Sequence, residues 1–137
     1  MINRPPEILV IQSETSELKK VESFLETFFD KNNLSKMYFN KLYLCVSEAV
    51  INSIKHGNKN DKEKCVTLKI SFFEHEVSVL IEDEGDGFDR NAVQNPTLVD
   101  NIRKESGRGI FIIKSITENL EFNEKGNSIQ FKIKCSE

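Results

Sequence analysis

Residues 42–54, LYLCVSEAVINSI, carry nine apolar side chains in thirteen. Leu42, Val46, Ala49 and Ser53 share one helical face, while Leu44, Ile51 and Ile54 lie on the opposite side. A helix of this kind is expected to be covered nearly all round. Yet Glu48 and Asn52 sit inside it, one turn apart on a single stripe. Burying a carboxylate without a partner is costly, so something must compensate it. In one arrangement Glu48 reaches solvent or pairs with Lys41 or Lys55. In the other, the stripe faces a ligand pocket, where a carboxylate can activate a nucleophile and an amide oxygen one turn later can coordinate Mg²⁺.

The rest of the chain supplies a scaffold for that helix. Glu7 to Ile11 is a short β-like run after Pro5-Pro6. Ser13, Thr15 and Ser16 offer N-caps for a helix reaching about Lys31, with Leu18, Val21, Leu25 and Phe28 at helical spacing. Asn32-Asn33 breaks it, Ser35 can cap the next helix from about Lys36 to His56, and Gly57 stops that one. Residues 58–61 read as a loop. Val66, Leu68, Ile70 and Phe72 alternate with Thr67, Lys69 and Ser71, giving a half-buried strand, and Val77 to Ile81 is its hairpin partner. Helix resumes at about Gly109 and ends near Asn119, and Leu120 to Phe122 with Ile129 to Ile133 form a last hairpin. The order β-α-α-β-β-loop-α-β-β implies a single-domain α+β fold, a two-layer α/β sandwich with about three helices on one face of a mainly antiparallel, mixed sheet.

Composition narrows the function classes. Net charge is −3 over 137 residues and the isoelectric point is near 5.5, which argues against direct nucleic-acid binding. No apolar run approaches the roughly 18 residues of a membrane-spanning helix. Residues 1–6 lack the apolar stretch of a secretory signal, so a cytoplasmic protein is expected. Cys45, Cys65 and Cys135 form no CxxC or Cys/His cluster and read as small apolar residues in a reducing compartment.

Two glycine-bearing segments join the Glu48 helix. Ile81-Glu82 is followed by Asp83-Glu84-Gly85-Asp86-Gly87-Phe88, an apolar strand ending in Asp-x-Gly-x-Gly. Such glycines let backbone approach a ligand, and a strand-end aspartate can accept a hydrogen bond from a ring amine. A tight acidic turn would look the same; an EF-hand would need a terminal glutamate and a different ligand spacing. Ser106-Gly107-Arg108-Gly109 then opens the helix that continues IFIIKSI, and a helix start of this kind suits an anion. Neither the Walker A spacing nor a complete GxGxxG is present.

In this order the segments resemble the Bergerat-fold ATP-binding superfamily of gyrase, heat-shock chaperone, histidine kinase and MutL-type domains. The matching stretches are Ser47 to Gly57 (SEAVINSIKHG), Asp83 to Phe88 and Gly107 to Ile110. The first is most similar to the bacterial anti-sigma-factor serine kinases, and the likeness runs from about Ile8 to Ile133. The resemblance implies that Glu48 is the general base and Asn52 the Mg²⁺ ligand. It implies that Asp83 reads the adenine amino group, that Gly85 and Gly87 shape the base pocket, and that Gly107 and Gly109 bind phosphate. Ser128 matches a position near adenine, and Arg90 to Glu105 matches a mobile lid. Relatives often carry a basic residue before the Ser-Gly pair, but here it is Glu105, so Arg103, Lys104 or Arg108 must supply the charge facing the phosphates.

The implied activity is ATP-Mg²⁺-dependent phosphorylation of a serine or threonine on a small STAS-type anti-sigma-antagonist protein. The implied partners also include a sigma factor and a second copy of the chain in a homodimer. The alternative is an inactive, nucleotide-gated protein that sequesters a regulator. A histidine-kinase fragment is disfavoured because no helix pair bearing a phospho-accepting histidine precedes the motifs, and an ATP-driven clamp because no transducer domain follows them.

Overall fold

The computed structural model describes residues 5–85, 108–123 and 127–135. Strand β1 (Glu7–Gln12) leads through a 3₁₀ turn at Thr15–Glu17 into helix α1 (Leu18–Lys31). A second 3₁₀ turn, Lys36–Tyr38, precedes helix α2 (Phe39–Asn52), which runs on into a π-helical segment, Ser53–Gly57. The hairpin of β2 (Cys65–Phe73) and β3 (Glu76–Glu82) follows. Helix α3 (Arg108–Ile116), β4 (Glu118–Phe122) and β5 (Ser128–Lys134) complete the described elements.

The five described strands form one sheet in the order β1-β2-β3-β5-β4, and all four pairings are antiparallel, in keeping with the mainly antiparallel sheet expected. Register explains the two layers. Leu68 pairs with Ile81 and Ile81 with Ile129, while Ile70 pairs with Val79 and Val79 with Phe131. Because strand side chains alternate, all of these point to one face, where each is buried. Val21, Leu25, Phe28 and Phe29 of α1 close that core, with Leu42, Val46 and Val50 of α2 and Ile113 of α3. Each large side chain buried here contributes about 1.5–3 kcal/mol against exposure. The opposite face keeps polar groups, including the Lys69–Glu82 ion pair at 3.3 Å.

Several local expectations are corrected. Ser13, Thr15 and Ser16 do not cap α1: the cap position is Glu17 and no side chain bonds there. Ser13 instead donates its hydroxyl to the Lys64 carbonyl at 2.7 Å. Ser35 does cap the Lys36–Tyr38 turn, accepting from the Met37 N–H at 3.3 Å. Helix α2 is not covered all round, since Leu44 is 39% exposed although Leu42, Val46 and Ala49 are buried. Helix α3 stops at Ile116, three residues short of the expected end, because Glu118–Phe122 joins the sheet beside β5. The three cysteines are free; Cys45 and Cys135 are buried and Cys65 is half-buried. No helix among the described residues is long and apolar enough to cross a membrane.

Candidate functional site

Glu48 and Asn52 occupy consecutive turns of α2, and both are half-buried. Glu48 forms no ion pair among the described residues, so neither Lys41 nor Lys55 neutralises it. It lies near enough to Cys45 to raise that thiol, which burial chiefly pushes up to about 11. The side-chain oxygen of Asn52 is buried and has no hydrogen-bond partner among the described residues. An orphaned acceptor normally costs stability, so its retention points to a donor or cation that completes it. A carbonyl-type oxygen is a ligand that Mg²⁺ accepts, and no cluster of three acidic, His or Cys side chains competes for the ion among the described residues. The group therefore fits the metal role.

Beyond Asn52 the helix widens. The Asn58 N–H donates to the Ser53 carbonyl at 2.8 Å, a five-residue span, and the Asn60 N–H to the Ile54 carbonyl at 2.8 Å. Wide turns of this kind recur at functional sites because they shift the chain that follows them. Here Gly57 comes to rest against the Asp83 carboxylate: a β-carbon on Gly57 would lie 2.7 Å or less from three of its atoms. Gly85 is packed against the carbonyl of Gly57 and could not carry a β-carbon without displacing backbone. Gly57 is thus more than the stop of a helix; it makes room for the carboxylate.

Asp83 is held from several directions. Its carboxylate accepts the Gly85 N–H at 2.8 Å. Its backbone N–H donates to the Asn127 carbonyl at 2.9 Å, and the Asn127 carboxamide donates to the Asp83 carbonyl at 3.1 Å. Asn127 is in turn fixed by Asn123, whose side-chain oxygen accepts the Asn127 and Ser128 N–H groups at 3.0 and 3.2 Å. Ser128 pairs with Glu82 across β3 and β5, which places it beside the strand end that carries Asp83.

The structure therefore brings Gly57, Asp83, Gly85 and Ser128 together at one end of the sheet, with Asn52 directly before the π segment. Arg108 and Gly109 open α3, which packs on α2. Gly87, Arg103, Lys104, Gly107 and the segment 90–105 lie outside the described residues. Three contributors escape a reading of the sequence: Glu84, Asn127 and above all Asn58, placed in a loop but 1% exposed. Only a polar residue directly after a helix-ending glycine hinted at Asn58.

Comparison with known proteins places the chain in a family. A family described as the histidine kinase-like ATPase domain matches residues 11–133. The chain is 29% identical over 85 residues to the serine-protein kinase RsbW of Bacillus subtilis (strain 168), covering 58% of this chain and 53% of that protein. It is 34% identical over 96 residues to an anti-sigma F factor of Clostridium perfringens, covering 66% of this chain and 69% of that protein. A serine-protein kinase RsbW of Staphylococcus epidermidis is 30% identical over 94 residues, with 59% of its length matched. The match thus spans about half the length of the first of these relatives and over two thirds of the second. With nearly its whole length matched, from β1 to β5, the chain belongs to the histidine kinase-like ATPase domain family.

Proposed function

We propose that this chain is a single-domain, ATP-dependent serine/threonine protein kinase of the anti-sigma-factor type. The observation that carries the reading is the buried Asn52 oxygen, without a hydrogen-bond partner among the described residues, one turn after Glu48 on the helix that runs on to Gly57 beside Asp83. The names of the relatives, serine-protein kinase and anti-sigma F factor, support it.

Asp83 accepts a hydrogen bond from the adenine amino group, with Gly85 and Gly87 giving the base room and Ser128 at the pocket edge. Asn52 would hold Mg²⁺, which when bound would neutralise phosphate charge. Gly107 and Gly109 offer backbone N–H groups to the phosphates, with Arg103, Lys104 or Arg108 adding positive charge. Glu48 accepts the proton of a substrate serine or threonine hydroxyl while that hydroxyl's oxygen bonds to the γ-phosphorus and the bond from the γ-phosphorus to the ADP oxygen breaks. Positioning and charge neutralisation supply most of the rate in such transfers.

The substrate is a STAS-type anti-sigma-antagonist protein, a sigma factor is the alternate partner, and the kinase works as a cytoplasmic homodimer without direct contact to nucleic acid or membrane. Incubation with γ-labelled ATP and the candidate antagonists of the same organism tests this. Label on one antagonist is expected; binding of an antagonist without any label on it would overturn the kinase reading. Glu105, acidic ahead of Ser106-Gly107, favours a second reading in which the chain is a nucleotide-gated binder that transfers no phosphate.

A further inference from the structure

Asn58 is a fully buried carboxamide whose three bonds all serve other segments. Its Nδ2 donates to the Ser13 hydroxyl at 2.8 Å and to the Cys65 carbonyl at 2.9 Å. Its Oδ1 accepts the Glu84 N–H at 2.8 Å. Glu84 returns the tie, its exposed carboxylate accepting the Cys65 N–H. The chain end of α2, the end of β1, the start of β2 and the residue after Asp83 thus meet in one polar cluster.

We infer that Asn58 is a positioning residue for base recognition, locking Glu84 and Gly85 to β2 so that the Asp83 carboxylate keeps a fixed direction beside Gly57. The geometry explains why a carboxamide is needed. The site offers two acceptors, the Ser13 hydroxyl and the Cys65 carbonyl, and one donor, the Glu84 N–H, and only the carboxamide of Asn or Gln combines two N–H donors with an acceptor oxygen in one head group. Asn127 fixes the Asp83 backbone from the β5 side. Asn58 fixes the following residue from the β2 side, so the two amides hold the carboxylate-bearing turn between them. Without Asn58, the Glu84 N–H loses its partner and the Gly85 N–H that steadies the Asp83 carboxylate is free to swing away.

This inference rests on the reading of Asp83 as the group that accepts the adenine amine. Adenine offers an amino donor where guanine offers a carbonyl oxygen, so a fixed carboxylate favours ATP over GTP. Loss of the lock lowers ATP affinity about tenfold and GTP affinity little, which collapses the ratio between them.

The test measures ATP and GTP affinities together with amide hydrogen exchange at Glu84 and Gly85. It uses wild type, Asn58→Ala, Glu84→Ala and a core control, Val21→Ala. Asn58→Ala is expected to lose the ATP preference and to exchange Gly85 faster relative to core amides of β3. Glu84→Ala, altered at an exposed side chain, should fold normally and move both readouts the same way by a smaller factor. Val21→Ala should melt at a lower temperature yet keep the ratio, since a smaller folded fraction penalises both nucleotides equally. If Asn58→Ala does not fold, Glu84→Ala decides alone. An unchanged ratio with unchanged Gly85 exchange overturns the inference. Equal binding of ATP and GTP by wild type would instead overturn the reading of Asp83, and Gly85 exchange would still decide whether Asn58 positions the turn.

Discussion

The carbonyl of Gly57 packs directly against Gly85, leaving no space there for a β-carbon. Twenty-eight residues apart in sequence, these glycines let the end of the π segment touch the chain just beyond β3, with the Asp83 carboxylate beside both. The contact makes two substitutions informative because their obstacles differ.

Gly85→Ala meets backbone and should lower stability by about 1–3 kcal/mol, the usual cost of overpacking. Gly57→Ala meets the Asp83 side chain instead, which can turn aside. The second variant should stay near wild type in thermal melts but lose most of the stabilisation that Mg·ATP gives. Equal ATP stabilisation of Gly57→Ala and wild type would show that Asp83 does not read the base.

Glu48 and Asn52 should separate transfer from binding. Glu48→Ala is expected to bind ATP and to lose phosphoryl transfer by about 10² to 10⁴, the range of general-base catalysis. Its unliganded fold should be as stable as wild type or more so, since polar groups kept for function often cost stability. Asn52→Ala removes an oxygen that bonds to no described residue, so it too should leave the unliganded melt nearly unchanged. It should, however, abolish the gain in ATP affinity that Mg²⁺ provides. Calorimetric titration with and without Mg²⁺ separates the two.

Stability should fall at alkaline pH through the two buried thiols. Burial pushes Cys45 and Cys135 up from 9.0 to about 11, in each case against an opposing pull from Lys41. Between these values the unfolded chain releases thiol protons that the folded chain retains, so the folded state binds more protons and stability declines as pH rises. Both contributions are fully present below pH 9.0 and lost through about pH 11. Melting temperature measured across that window should fall less steeply in Cys45→Ala than in wild type.

The β2–β3 turn should be improvable. Glu74 and His75 carry positive φ angles of 50° and 69°. The left-handed region costs an ordinary residue about 1–2 kcal/mol and suits Asn-Gly far better. The double change Glu74→Asn, His75→Gly keeps the His75 carbonyl that accepts the Cys135 N–H at 2.8 Å. It should raise the denaturation midpoint without altering ATP binding, which chemical denaturation with a nucleotide titration would check.

The sequence by itself determined the element order and singled out the candidate site helix. Alternation from Val66 to Phe72 specified a strand because one sheet face is buried, and the stripe of Glu48 and Asn52 stood out because an apolar helix does not carry polar groups without cause. Asp83 and Gly85 were legible for the same reason, as a polar, glycine-bearing end to an apolar strand. Only the tertiary structure decided how these pieces meet. Asn58 looked like a loop residue, since its partners Ser13, Cys65 and Glu84 lie 45, 7 and 26 positions away. Gly57 looked like a helix stop, and its second role appears only when Asp83 arrives from another element. Ser13 looked like a cap and became an anchor for Lys64 and Asn58 because both reach it across space. Periodicity reports which face of an element is buried; it carries no information on which polar groups from distant segments will find one another once that burial brings them together.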